Sequence, residues 1–441
     1  MQLFRGILGL ARLLVSDPRR FMERLSAQAD AEKPLHSYLQ YRDGLPGVAP
    51  LNFAIDPQLD SRPTLNVLLP GMAMRAMSGG PNTAINLAYR LAAHGVALRF
   101  ISTDIPMDEN HEPIRAHFAS LTGLPADLPN VEIVCAFDRS KPLLIGRNDV
   151  FFASAWWNVQ MIKRGLALTG PKRFLYIVQD FEPGLYAWST RHALALETYN
   201  LDFHGIICGN FLADYLFESR VGRFGEPDFR AACTVFEPAV DRNKFYPDPV
   251  KSRFAVRRLL FYARPTSAER NLFELGLYAL RCAVMTGVFA QGQWEFLFIG
   301  EALPDVDLGA GITIRSAPWL NYEGYAGLMR SSDVVLSLML SPHTSYPPLE
   351  AAAAGAVAVT NSYANKTADA LTAVSPNIVS VPPTLEGVVE GLTEAVRRLG
   401  GERPGRGLLN VPADWDESFA ETVPRVLAML ELCRASGEGQ L

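Results

Sequence analysis

Short apolar runs recur along this chain, separated by longer segments whose apolar residues fall at helical spacing. Leu65 to Pro70, Val96 to Ser102, Val131 to Val134, Asp149 to Ala153, Arg173 to Val178 and Gly205 to Cys208 are each too short for a helix and rich in branched or aromatic residues. Such near-continuous runs predict strands covered on both faces, the signature of a parallel sheet. Pro81 to His94 reads as a helix closed by Gly95, and another helix starts at Phe211. A strand, a helix and a strand in that order imply a right-handed crossover. The same alternation restarts further on. Strands are expected at Arg257 to Ala263, Trp294 to Gly300, Ile312 to Ile314, Val334 to Leu338 and Val357 to Thr360, with helices at Leu272 to Met285, Tyr322 to Met329, Leu349 to Ala354 and Leu385 to Leu399. Trp415 to Leu432 reads as an amphipathic helix.

The pattern divides the chain into two α/β halves. Residues 1–62 read as a helical extension followed by coil, 63–245 as the first half and 246–410 as the second. Residues 411–441 read as a terminal helix that crosses back to the first half. The segment Arg242 to Ser252, with Pro247 and Pro249, is the expected hinge.

Charge narrows the partners. The chain of 441 residues has a formal net charge of −5 and no long basic block, so nucleic acid is excluded as a natural partner. An anionic ligand must then meet a local cluster of cations. The five cysteines are scattered without a CxxC, as expected of free thiols in a reducing compartment. Leu3 to Leu14 alternates apolar residues with Arg5 and Arg12 and lacks a cleavage site of small residues, unlike a signal peptide. Two readings of this basic helix stay open. It suits an anionic membrane face, and it equally suits packing on its own chain or on the partner subunit of a homodimer. The expected location is cytoplasmic, in the first case at the inner face of the plasma membrane.

Four stretches carry chemistry. Ser78-Gly79-Gly80 precedes the first helix, where bare backbone N–H groups and a helix N-terminus suit an anion; an ordinary strand-to-helix turn looks the same. Asp180 and Glu182 follow the strand ending at Val178, where ligands sit in open parallel sheets. They suit binding of sugar hydroxyls or uptake of a proton, or else turn and capping chemistry. Arg264 and Arg270 lie six apart after a strand, a spacing that suits a diphosphate clamp. The alternative is surface pairing with Glu269 and Glu274. Ser341 to Thr360 runs from a polar loop through Pro347-Pro348 into a small-residue helix with Glu350 at its expected start.

Together these blocks resemble retaining glycosyltransferases of the GT-B architecture, carbohydrate-active family four. The residues that carry the resemblance are Ser78-Gly79-Gly80, Arg264 to Arg270, Phe298-Ile299-Gly300, and Tyr346-Pro347-Pro348-Leu349-Glu350 with Ala352 and Gly355. Val178 to Pro183 and Ser345 to Glu350 look most like a bacterial rhamnosyltransferase that builds surface-layer or O-antigen polysaccharide from dTDP-L-rhamnose. The resemblance implies two Rossmann-like domains facing across a cleft. It implies that Glu350 holds the donor ribose, Arg264 and Arg270 neutralise the diphosphate, and Gly79 and Gly80 add N–H contacts. The base would lie near Glu301, Trp319 and Leu320. His343, Ser345 and Tyr346 would line the donor pocket, and Gln179 and Asp180 stand where the family often has a histidine touching the sugar. No cofactor is expected beyond the nucleotide sugar itself, and the other substrate would be an oligosaccharide or lipid-linked glycan. No DxD run follows a strand, so metal-independent chemistry is expected.

Two departures from the family pattern stand out. Pro342 occupies the place of the first of two glutamates, with His343 beside it, and the family histidine is absent. A UDP- or GDP-linked donor is therefore an alternative. So is a catalytically impaired nucleotide-binding module of a glycan-assembly complex. An epimerase of the same architecture would need catalytic carboxylates that are not evident.

Overall fold

Two seven-stranded sheets dominate the computed structural model, which describes residues 48–72, 79–249, 256–265, 269–318, 320–401 and 405–438. The basic helix at Leu3 to Leu14, Ser78, Trp319 and part of the expected hinge lie outside the described residues. The first sheet is built from β2 (Leu65–Leu69), β3 (Leu98–Ser102), β4 (Val131–Cys135), β6 (Val150–Ala153), β7 (Phe174–Val178), β8 (Phe203–Cys208) and β9 (Cys233–Phe236). Its spatial order is β4-β3-β2-β6-β7-β8-β9, parallel throughout. Helices α1 (Gly80–Ala93), α2 (Glu112–Thr122), α3 (Trp156–Leu168), α4 (Thr190–Thr198) and α5 (Asn210–Glu218) accompany it. All five residues of β2, β3 and β7 are buried, and β7 is apolar throughout, while β2 and β3 bury Asn66 and Arg99, which hydrogen-bond to each other and, through Asn66, to Asp149.

The second sheet has β10 (Val256–Ala263), β11 (Gln293–Gly300), β12 (Val306–Gly309), β13 (Ile312–Ser316), β14 (Val334–Leu336), β15 (Val357–Asn361) and β16 (Ile378–Val381). Its order is β12-β13-β11-β10-β14-β15-β16, parallel except for the antiparallel edge pair β12 and β13. Its helices are α6 (Phe273–Met285), α7 (Tyr322–Ser331), α8 (Tyr346–Ala353), α9 (Ala368–Val374) and α10 (Leu385–Leu399). Strands β12 and β16, like helices α2, α3, α4 and α9, left no clear mark in the sequence pattern.

Two features differ from the expected layout. The stretch read as coil before residue 63 contains a strand, β1 (Phe53–Ile55), paired in parallel with β5 (Leu143–Ile145). Three residues are too few for a period to show. The terminal segment forms two helices, α11 (Trp415–Phe419) and α12 (Thr422–Glu438), rather than one. Pro424 falls in the first turn of α12, where a missing N–H costs nothing. Phe419, Val423, Val426, Met429 and Leu430 are buried in one cluster with Val67, Tyr89 and Phe152 of the first half.

Candidate active site

Chain order reverses between β2 and β6 in the first sheet and between β10 and β14 in the second. In open α/β sheets a ligand crevice opens at such switch points, beyond the strands' carboxyl ends. The sequence-singled loops follow these strands and their neighbours, and the two halves meet there. Arg270 Nη2 lies 2.9 Å from Asp180 Oδ2 of the opposite half. The Ser341 hydroxyl donates to Asp180 Oδ1, which also accepts the Phe181 N–H at 2.8 Å. Tyr346 and Thr83 hydroxyls are 3.1 Å apart, and Asn365 Nδ2 donates to Phe211 O at 2.8 Å.

Asp180 is buried, which by itself would push its carboxyl up. Arg270 and the two hydrogen bonds outweigh that and hold it below the usual carboxylate range. Both of its oxygens are engaged by protein groups, so it acts first as the anchor of Arg270. Arg270 pairs here and not with a neighbouring glutamate as on a plain surface. Its Nε is buried without a hydrogen-bond partner among the described residues. The loop carrying it is fastened to the second sheet by Leu340 N–H on Arg270 O at 2.9 Å and Asn271 Nδ2 on Leu338 O at 3.0 Å.

The remaining predicted residues form two further groups. Gly79 has φ +48°, and a Cβ on Gly80 would sit 3.3 Å from Gln179 Nε2, so Gln179 lies against the glycine turn. Across the cleft Gly300 has φ +118°, and a Cβ there would meet Ala263 O at 2.6 Å and Arg264 Cγ at 3.1 Å. Glycine is required at that turn. Glu301 N–H donates to Ala263 O at 3.0 Å, which brings Glu301 beside Arg264. Leu320 is half-buried at the entry to α7.

Residues 64–209 match the WsaF N-terminal domain, and residues 257–393 match the WsaF C-terminal domain. The chain carries both WsaF domains. The O-antigen biosynthesis protein RfbC of Myxococcus xanthus is 36% identical over 250 residues, which cover 56% of this chain and 18% of RfbC. The match thus spans under a fifth of that relative's length. Three solved structures share the fold at low identity. Alr3699/HepE of Anabaena, in complex with UDP and glucose, has a TM-score of 0.56 at 12% identity, covering 83% of this chain and 98% of its own. Sucrose-phosphate synthase of Thermosynechococcus elongatus has a TM-score of 0.51 at 12% identity, covering 85% and 100%. The catalytic domain of starch synthase IV of Arabidopsis thaliana, bound to ADP and acarbose, has a TM-score of 0.51 at 10% identity, covering 85% and 99%. The architecture is GT-B.

Within the WsaF C-terminal domain, Glu350 is the fifth residue of α8 and not at its start, as the two prolines had suggested. Dipole stabilisation at the first turn therefore does not explain it. Burial raises its carboxyl to about 7, against the pull of the Tyr325 hydroxyl, which donates to Oε2 at 2.6 Å. His343, beside Pro342, is buried. Burial, with Lys366 and Arg270 nearby, depresses its imidazole to about 4. Its Nδ1 accepts the Ser345 N–H at 3.0 Å, so the ring proton sits on Nε2, 3.4 Å from Cys208 Sγ. Glu182, the second carboxylate of the WsaF N-terminal domain loop, takes no part in the cleft contacts. It accepts from the Tyr176 hydroxyl at 2.6 Å, and burial raises it to about 8. Burial favours its neutral form, and it holds the loop from beneath.

Sequence reasoning missed Tyr325, Ser341, Thr83, Cys208 and Lys366. Lys366 is the most telling omission. It is 1% exposed and its ammonium donates to Met339 O at 3.2 Å and His343 O at 3.3 Å. A single lysine amid small polar residues after a strand was the only available signal.

Proposed function

We propose that this protein is a glycosyltransferase that moves a sugar, L-rhamnose from dTDP-L-rhamnose, with retention onto a growing bacterial surface polysaccharide. The observation that carries the reading is Arg270, presented at the sheet switch point and fixed by Asp180 from the opposite domain. As the sugar leaves, negative charge grows on the departing diphosphate. Preorganised guanidinium groups aimed at that charge lower the barrier. Arg264 and Arg270 supply them without a metal. Glu350 accepts the 3′-hydroxyl of the nucleotide's deoxyribose, and backbone N–H groups at Gly79 and Gly80 approach from the other side. Gln179, Glu301, Trp319, Leu320, His343, Ser345 and Tyr346 line the donor side. The WsaF domains, of a rhamnosyltransferase family, and the relative named for O-antigen biosynthesis support the substrate class.

The test is transfer from labelled dTDP-, UDP- and GDP-sugars to a rhamnose-capped acceptor, with and without a chelator. Transfer from dTDP-L-rhamnose, unaffected by the chelator, is expected. A charge-assisted hydrogen bond contributes roughly 1.5–3 kcal/mol, so Arg270→Ala or Arg264→Ala should slow transfer by about one to two decades. Unchanged nucleotide affinity and rate in either variant would remove it from the clamp. Pro342 in place of a glutamate favours a second reading, a nucleotide-binding module without turnover. Nucleotide binding with no transfer from any donor would establish it.

A further inference from the structure

Trp188 is 96% exposed, although tryptophan is among the residues that most reward burial. It stands in the loop after β7, eight residues beyond Asp180. That loop is firmly held. The Trp156 Nε1–H donates to the Tyr186 hydroxyl at 3.1 Å, and the two rings meet edge to face at 5.8 Å. Ser189 Oγ accepts the His192 N–H at 3.3 Å and caps α4. His192 Nδ1 donates to Pro183 O at 2.9 Å, which leaves Nε2 free of that contact. The Trp188 and His192 rings lie 6.5 Å apart at 36°, and the Arg191 guanidinium sits 5.8 Å over the Tyr186 ring. The Glu182–Leu185 turn beneath the loop packs on the Glu269–Asn271 turn that bears Arg270, so the aromatic lip is continuous with the cleft.

We propose that Trp188, with Tyr186, Arg191 and His192, forms an outer subsite for the saccharide acceptor, remote from the transferred sugar. A flat ring offers its face to the C–H face of a pyranose, and a 6-deoxy sugar adds a methyl group to that apolar side. The hydroxyls around the sugar's rim meet Arg191, His192 Nε2 and Ser189. An isolated ring edged by hydrogen-bonding groups suits a sugar better than an amphipathic helix, which needs a contiguous apolar stripe. The proposal rests on the glycosyltransferase reading for its acceptor, but its binding test stands apart from turnover.

The experiment measures binding of a rhamnose disaccharide and a rhamnose hexasaccharide by tryptophan fluorescence and calorimetry, with a thermal shift by dTDP as control. Trp188→Ala should weaken the hexasaccharide by about tenfold, a difference of about 1.4 kcal/mol, and leave the disaccharide and the dTDP shift unchanged. Trp188→Phe should restore most of the affinity. Equal hexasaccharide affinity in Trp188→Ala and the unaltered protein overturns the proposal. So does failure of the unaltered protein to bind any of these saccharides, or loss of binding to anionic lipid vesicles alone. Trp188-dependent hexasaccharide binding without any dTDP shift or transfer would uphold the subsite and reject the donor assignment.

Discussion

Glu350 keeps its proton to about pH 7 because burial penalises the carboxylate and Tyr325 alone supports it. In its proposed role Glu350 accepts from a hydroxyl of the nucleotide's sugar, and the ionised form is the stronger acceptor. Affinity for dTDP should therefore rise between about pH 6 and about pH 8, around the value near 7. Glu350→Gln should flatten the part of that rise not due to the ligand's own phosphate. Calorimetric titration of both proteins across the range checks this, and parallel curves would refute it. The effect on stability runs the other way. The folded value lies above the ordinary 4.5, so the native state binds more protons than the unfolded state between the two values. Stability from this group is full below about pH 4.5 and declines as pH rises through about 7. Glu350 was legible as a lone carboxylate among alanines. Tyr325 was not, because it sits 25 residues earlier on another helix and only packing brings the two together.

The α8 element shows how local rules set a helix and tertiary demands distort its entry. Proline at the first turns and alanines after them predict the helix, and it forms. Its preceding residue, Ser345, has φ +66° and ψ 149°, a backbone region that only glycine enters freely. The loop is forced into it by fixed ends. Lys366 grips the carbonyls of Met339 and His343, His343 Nδ1 takes the Ser345 N–H, and Ser341 reaches Asp180. Strain of this kind costs of order 1–3 kcal/mol. Ser345→Gly should accordingly raise the melting temperature by roughly 2–4 °C per kcal/mol relieved. Scanning calorimetry decides; a lower melting temperature would show that the serine side chain contributes more than the strain costs. No sequence rule places a serine at positive φ, so this feature was invisible beforehand.

The last two helices belong, at the scale of the whole chain, to the core of the first sheet. Phe419, Val426, Leu430 and Cys433 are each at most 1% exposed. Full burial of an apolar side chain of this kind contributes about 1.5–3 kcal/mol. Removal of residues 415–441 should thus cost an amount comparable to the usual margin of stability, which is about 5–15 kcal/mol. The truncated chain should bind a hydrophobic dye strongly and lose its cooperative thermal transition. A sharp transition at an unchanged temperature would show the helices to be peripheral. Among the described residues no helix is long and apolar enough to cross a membrane.

The sequence by itself determined the two α/β halves, the parallel character of their sheets and the loops that carry arginine, glycine and carboxylate. Each of these follows from local composition and period: strands buried on both faces are predominantly apolar, and a glycine turn permits a close backbone approach. Tertiary structure alone decided which groups meet. It paired Asp180 with Arg270 across the halves, turned Glu182 into a buried prop under its own loop, and set Lys366 beneath the Met339–His343 loop. It also left Trp188 in solvent beside the cleft. These outcomes depend on burial or on contacts between separate elements, 90 positions apart for Asp180 and Arg270 and 23 to 27 for Lys366 and its carbonyls, and neither is encoded by spacing along the chain.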